Sequence, residues 1–482
     1  MISRQFLTFV LYVAASSASM ADDVDFHEGI FVVNEDWYGH QNSTVNYLLP
    51  DDPGGNYWHY RVFQEANPGH ELGCTNQYGA IWNGRFYFIA KQDKDPGASV
   101  AGGRITVADA ETMKILYQNT IIDPSGAQCD GRGFVGIDEH KGYISTSNGV
   151  WIFDLDNFEV KGRIEGTSNP NAGDDTPNTN PAGSLYYGQS GTMLLADGKV
   201  FVCHQQSGIL VIDAASDKLV SHISMDIVSD GAGIGSIVKA ADGSLWASVA
   251  QDTHGTGSSL PLLLRIDPHT LATETVPVTE GMFGPANSWY AWTPDAFVAS
   301  SQSNVLYWKG GMNRWFAGSQ IYKFDCDTRE TSLFVDLETE GANWKVYGCS
   351  LGVHPDTDDV YMSLYHEFST PTYITRRYSP EGEAICDYPM IDNYWFPSMF
   401  VFPQAKNTSA VADISVSETS IKLSGKLLSL KNASGSTLEI YSATGACVLR
   451  YAINTDFFEQ SLALPAGIYI IKAGNSIRKF RI

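Results

Sequence analysis

The chain has 482 residues, with 31 Lys+Arg against 54 Asp+Glu and a formal net charge of −23. That balance excludes nucleic acid or anionic lipid as the main partner, since either needs a basic surface, but leaves a basic substrate or a bound cation open. Hydrophobic residues at 43% and aromatics at 12% supply a large core, and 45 Gly with 20 Pro imply many turns.

At the N-terminus, Arg4 precedes an apolar run from Phe6 to Ala15 and a small-residue stretch from Ser16 to Ala21. Ser19 and Ala21 fit the small positions before a signal-peptidase cut, so residues 1–21 read as a secretory signal. No later apolar stretch reaches the roughly 18 residues of a transmembrane span. The seven cysteines contain no C-x-x-C pair, which argues against a zinc ribbon or a thioredoxin-like motif.

A short pattern then recurs: an apolar stretch, usually an Asp, and a polar turn. Its copies end at Asp109, Asp154, Asp213, Asp267 and Asp325, with a degenerate one at Ser379, at intervals of 45, 59, 54, 58 and 54 residues. A strand pair precedes each copy. Asn83-Gly84, Asp197-Gly198 and Asp242-Gly243 lie between apolar runs and mark hairpin turns, because both residues tolerate positive φ. Each unit is therefore four antiparallel strands, the form of a propeller blade. The Asp sits between the third and fourth strands, where its carboxylate can accept backbone N–H bonds.

Six such units lie near 78–122, 133–166, 190–226, 235–278, 289–336 and 347–390. Strands expected at Ile30–Val33, Thr44–Tyr47 and Tyr60–Phe63, with one more at Met399–Phe402, complete a seventh by pairing the two ends of the segment. The fold expected is all-β: a seven-bladed β-propeller over 22–403, followed by a small C-terminal β-sandwich over 404–482. Residues 22–403 carry 21 Lys+Arg against 49 Asp+Glu, and 404–482 carry nine against five.

In the tail, Leu438-Glu439-Ile440-Tyr441-Ser442-Ala443-Thr444-Gly445 is followed by Leu464-Pro465-Ala466-Gly467-Ile468-Tyr469 and the basic-apolar end Arg478-Lys479-Phe480-Arg481-Ile482. Residues 411–482 resemble the C-terminal sorting domain of type IX secretion substrates of Bacteroidetes. That resemblance implies passage across the outer membrane, with the secretion machinery as a partner, and a place at the cell surface or outside it. In the body, Gly29-Ile30-Phe31-Val32-Val33-Asn34-Glu35 and the recurring Asp pattern resemble the YncE-like surface propellers of gut Bacteroidetes. That group includes surface proteins that capture cobalamin for an outer-membrane transporter.

In a propeller, the loops between blades and those between second and third strands converge on one face, where ligands gather over the central channel. Here those loops place aromatics beside amides, the composition of a site for a bulky, partly polar organic ligand. The expected ligand-binding residues are Trp37, Tyr38, Tyr78, Arg132, Tyr187, Gln189, Gln205, Trp289, Tyr290, Trp344, Tyr347 and Trp395. The segment from Trp308 to Trp315 is read as a further loop of this face. The bland alternative is that the aromatics pack between blades. Cys74 and Cys129 occupy equivalent connectors of adjacent units and are expected to form a disulfide. Asn169–Pro181 reads as a solvated loop rather than a calcium site, and Asp230–Gly235 opens a strand rather than a phosphate-binding helix. No G-x-S-x-G or H-E-x-x-H occurs, and no catalytic group, metal or cofactor is indicated. The leading expectation is non-enzymatic capture of a small-molecule nutrient, cobalamin-like in its sharper form. A propeller lactonase or hydrolase, or a protein-interaction platform, is the alternative.

Overall fold

The structure is a computed structural model that describes residues 24–170, 185, 188–224, 233–250, 259–285, 296–310, 317–403 and, with short breaks, 420–481. The expected signal segment, Tyr187, Trp289, Tyr290, most of the Asn169–Pro181 loop and the start of the sorting segment lie outside these residues.

The protein is all-β, built of antiparallel sheets. Within 24–403 the described strands form seven of them. Sheet I joins β1 (Ile30–Asn34), β2 (Thr44–Leu48), β3 (Trp58–His59) and, from the far end of the segment, β29 (Pro397–Val401). Sheet II holds β4 (Cys74–Trp82), β5 (Arg85–Gln92), β6 (Ile105–Asp109) and β7 (Ile115–Asn119). Sheet III holds β8 (Gly131–Gly136), β9 (Lys141–Thr146), β10 (Gly149–Asp154) and β11 (Glu159–Arg163). Sheet IV holds β12 (Ser190–Ala196), β13 (Lys199–His204), β14 (Gly208–Asp213) and β15 (Lys218–Ile223). Sheet V holds β16 (Gly233–Lys239), β17 (Leu245–Ala250), β18 (Ser259–Ile266) and β19 (Thr273–Pro277). Sheet VI holds β20 (Phe297–Ala299), β21 (Val305–Gly310), β23 (Gln320–Asp325) and β24 (Glu330–Asp336). Sheet VII holds β25 (Lys345–Val353), β26 (Val360–Tyr365), β27 (Tyr373–Tyr378) and β28 (Ala384–Pro389), and takes in the short β22 (Ala317–Gly318) beside β25.

Within each sheet the consecutive strands form a meander, as the hairpin signals imply, with β29 added to sheet I and β22 to sheet VII. Asn83 and Gly84 have φ of 48° and 70°, and Asp197 and Gly198 have 48° and 69°. Two successive left-handed residues are what a two-residue type I′ turn requires. The recurring Asp performs its expected structural role. Asp325 accepts from the N–H groups of Asp327 (2.9 Å) and Thr328 (2.8 Å). Asp109, Asp154, Asp213 and Asp267 accept likewise from Thr112, Asn157, Ser216 and Thr270. Four residues after each Asp the chain turns left-handed, at Met113, Phe158, Asp217, Leu271 and Arg329. None of these is glycine: Met113 is fully buried, Phe158 stacks on Tyr117, and the Arg329 guanidinium lies over Trp246.

Two expectations fail locally. The strand expected over Tyr60–Phe63 is instead a short helix, α1 (Val62–Ala66). Arg61 is left-handed at φ 54° and its N–H donates to Asn46 Oδ1, which ends the strand and turns Val62 and Phe63 into the core. Trp308 is not in a loop. It lies in β21, is fully buried with Trp246 and Phe324, and its indole N–H donates to Phe283 O at 3.0 Å.

The cores lie between neighbouring sheets. Tyr87 of sheet II stacks on Phe134 of sheet III at 4.1 Å among Ile89, Ile144 and Phe153. Fully burying such a side chain is worth about 1.5–3 kcal/mol, so these layers dominate the cohesion of the sheets. Contacts between leading strands run from β29 to β4, β8, β12, β16, β20 and β25, and from β25 back to β29.

Two further sheets follow. One joins β30 (Ser420–Ser424), β31 (Leu427–Lys431) and β34 (Phe457–Ser461). The other joins β33 (Cys447–Ala452), β32 (Thr437–Ser442), β35 (Ile468–Ala473) and β36 (Ser476–Arg481). They share a core of Leu428, Leu430, Leu438, Ile440 and Ile471. The two segments that carry the sorting-domain resemblance are hydrogen-bonded neighbours, with Ile440 opposite Ile471.

Candidate functional site: a cavity among the leading strands and its polar end

The leading strand of a sheet alternates its side chains, one set into the layers and the other away from them. In β12, Met193 and Leu195 are buried, while Thr192 and Leu194 keep partial exposure. Thr192 and Leu194 border a cavity of about 530 Å³. The same cavity is bordered by Gln77 and Tyr78 from β4, Arg132 from β8, Ile237 from β16, Val298 and Ala299 from β20, Cys349 and Leu351 from β25, and Met399 and Phe400 from β29. All seven leading strands thus contribute to one space. Its size falls in the range of small-molecule sites, about 300–1,000 Å³. The wall is mostly aliphatic and thioether. Gln77, Tyr78 and Arg132, near the starts of their strands, make one end polar, and Ala240, Ser300 and Ser301 border the other, beside the hairpin turns.

The polar end is held by buried hydrogen bonds. Gln77 Nε2 donates to Glu35 Oε2 at 2.8 Å, and Tyr347 Oη donates to the same oxygen at 3.0 Å. Arg132, fully buried, donates from Nε (2.9 Å) and Nη2 (2.5 Å) to Gln189 Oε1. Gln205 Oε1 accepts from the N–H of Gly188 at 2.8 Å, which fixes the chain that carries Gln189. Asp130 lies 3.1 Å from Arg104 and 3.9 Å from Arg132. Tyr78 Oη donates to Phe134 O at 2.5 Å, and burial holds its phenol well above the ordinary range. Lys91, at the end of β5, is buried, and desolvation lowers its ammonium to about 7 against the pull of Glu35. Lys309 is fully buried, with Nζ donating to Gly348 O at 2.7 Å.

Of the ligand-binding residues read from sequence, Tyr78 and Arg132 border the cavity, and Gln189 and Gln205 buttress Arg132. Of the rest, Tyr187, Trp289 and Tyr290 lie outside the described residues, and the described ones do not border the cavity. Trp395 and Tyr347 are buried in an aromatic core with Tyr365, Tyr373 and Phe396. Trp37 stacks on His40 at 4.2 Å and Trp344 on His366 at 3.8 Å. Tyr38 is half exposed. The expected disulfide is absent, and Cys74 and Cys129 are free. Cys74 turns its thiol toward Thr75 and Asp95, at 3.3 and 3.5 Å, whereas Cys129 packs among Ile89, Ile105 and Ile122. Burial pushes both thiols up to about 12. Sequence reasoning missed Glu35, Lys91 and Lys309. A lysine inside each of the apolar runs Arg85–Gln92 and Val305–Gly310 was the available signal, since a buried cation needs a compensating partner. Among the described residues no three His, Cys, Asp or Glu side chains converge as a metal site.

The model of a family described as "Domain of unknown function (DUF5074)" matches residues 28–403. The chain belongs to that family. The match starts just before β1 and ends just after β29, so it takes in all seven sheets and stops short of the tail. No curated protein matches the chain. Solved structures with similar coordinates include the computationally designed Ika8 protein, at 12% identity and a TM-score of 0.36, covering 84% of this chain and 96% of that one. PorZ, a surface component of the type-IX secretion system of Porphyromonas gingivalis, aligns at 12% identity and a TM-score of 0.43, over 96% of this chain and 59% of PorZ. The extracellular domain of BT4673 from B. thetaiotaomicron aligns at 12% identity and a TM-score of 0.44, over 94% and 57%. The chain thus spans under two thirds of these two natural structures. Among the described residues no helix is long and apolar enough to cross a membrane.

Proposed function

We propose that residues 22–403 form a seven-bladed β-propeller that captures a small organic nutrient at the cell surface without transforming it, and that 404–482 direct its export. The cyclic order of contacts among the leading strands supports the propeller, as does the pairing of β29 with β1, Val33 opposite Met399. Such closure leaves no leading edge exposed. The observation that carries ligand capture is the cavity of about 530 Å³ bordered by all seven leading strands, with Tyr78 and Arg132 at its polar end. Export rests on the N-terminal apolar segment and on the tail motifs. The sharper form, a corrinoid handed to an outer-membrane transporter, rests on the resemblance to surface propellers.

Calorimetric titration with cyanocobalamin, with oligosaccharides and with peptides tests the reading, using the unmodified protein and Ala299→Phe, which places a ring in the channel. Binding by the unmodified protein that Ala299→Phe abolishes is the expected result. Absence of heat with any corrinoid sinks the corrinoid form. Binding unaffected by Ala299→Phe sinks the channel as the site.

A further inference from the structure

Among the described residues that border the cavity, Gln77 holds a buried acceptor without a donor. Gln77 is 4% exposed, and its Nε2 is committed to Glu35. That contact fixes the amide's orientation, because a carboxylate oxygen accepts only from the nitrogen side. The carbonyl, Oε1, is buried and has no partner, and the residue borders the cavity. A buried amide oxygen left unpaired has lost its water without replacement, so a ligand that brings a donor there recovers that cost. Tyr78 cannot serve, because its hydroxyl hydrogen already points to Phe134 O.

The charged groups around this end are of both signs and already engaged: Glu35 accepts from Gln77 and Tyr347, Arg104 pairs with Asp130, and Arg132 donates to Gln189, so neither an anionic nor a cationic head finds an open counter-charge. An anion would also meet the lone pairs of Gln77 Oε1. Beyond Gln77 the wall is mainly apolar, through Leu194, Ile237, Leu351 and Met399, broken by the hydroxyls of Thr192 and Ser236, toward the hairpin end. We propose, building on the capture reading, that the channel takes an uncharged amphiphile: an apolar body inserted along the axis, with a hydroxyl or amide head donating to Gln77 Oε1.

The test uses three probes of equal chain length, decan-1-ol, decanoate and decylammonium, titrated calorimetrically below their aggregation concentrations into the full chain. Decan-1-ol is expected to bind one per chain, at least tenfold more tightly than either charged probe. Gln77→Met, which keeps the packing but removes the acceptor, should weaken decan-1-ol about tenfold and leave the charged probes within twofold. Equal or tighter binding of decanoate or decylammonium overturns the head assignment, as does failure of all three to bind. If Gln77→Met does not fold, the order of the three probes on the unmodified protein still decides. Ala299→Phe separates the two levels. Decan-1-ol binding lost in this variant, but without head preference, overturns only this inference, whereas binding that survives overturns the channel as the site.

Discussion

Replacing Asp325 by Ala tests whether the recurring Asp is structural. Its carboxylate caps a turn by accepting two backbone N–H bonds, and the Arg329 N–H closes the same turn on Asp325 O at 2.9 Å. Loss of such a cap costs about 0.5–2 kcal/mol, typically near 1. Unfolding entropy is roughly 2.1 cal/mol/K per residue, or about 0.8 kcal/mol/K over the family-matched span. A loss of about 1 kcal/mol therefore lowers Tm by about 1–2 °C, within reach of scanning calorimetry. The Thr328 and Asp327 N–H groups lower the folded Asp325 carboxyl below the usual 3.8. The stabilisation is complete above the unfolded value and fades as pH falls through the folded one. The gap between the two proteins should thus be full at neutral pH and shrink at about pH 3. A variant as stable as the parent at neutral pH, or a gap that does not change in acid, refutes the capping argument.

Gly136→Ala would put a Cβ 2.1 Å from Trp82 Cδ2 in a packed layer. Overpacking of this kind should cost about 1–3 kcal/mol, seen as a lower denaturant midpoint by tryptophan fluorescence. For Lys91, the folded ammonium is lowered to about 7 while the unfolded one stays near 10.5. The unfolded chain then binds more protons between those values, so stability rises with pH there. Lys91→Met should remove that slope, and a slope equal to the parent's would contradict the burial argument. Alkylation under denaturing conditions without reductant, read by peptide mass spectrometry, should modify both Cys74 and Cys129. Modification that appears only after reduction would restore the disulfide.

Sheet boundaries were legible because the Asp turn and the hairpin dipeptides are local chemistry. Asp325 and Asp197-Gly198 act through neighbours two to four residues away. The pairing of Ile30–Val33 with Met399–Phe402 was legible for another reason: three strands at one end and one at the other leave a single sheet incomplete at both. The Arg61 break was hidden, since Tyr60–Phe63 alternates as a strand and only the left-handed residue redirects it. Trp308 looked like loop material because aromatics flank its run, yet its burial depends on Trp246 and Phe324 from elsewhere in the chain. The cavity was the least legible part. Thr192, Ala299 and Cys349 are chemically ordinary and gain meaning only when separate strands bring them to one cavity. Aromatics in loop-like segments are ambiguous between ligand contact and packing, and Tyr347 and Trp395 serve the core.

The central claim is that ligand is held in the axial channel. Cys349 borders that channel and reports on it directly. Its alkylation rate, followed by peptide mass spectrometry with and without whichever probe gives calorimetric heat, is the decisive measurement. The account predicts that saturating ligand slows modification of Cys349 at least tenfold while leaving the exposed Cys447 unchanged. A bound ligand that leaves the Cys349 rate unchanged would contradict it.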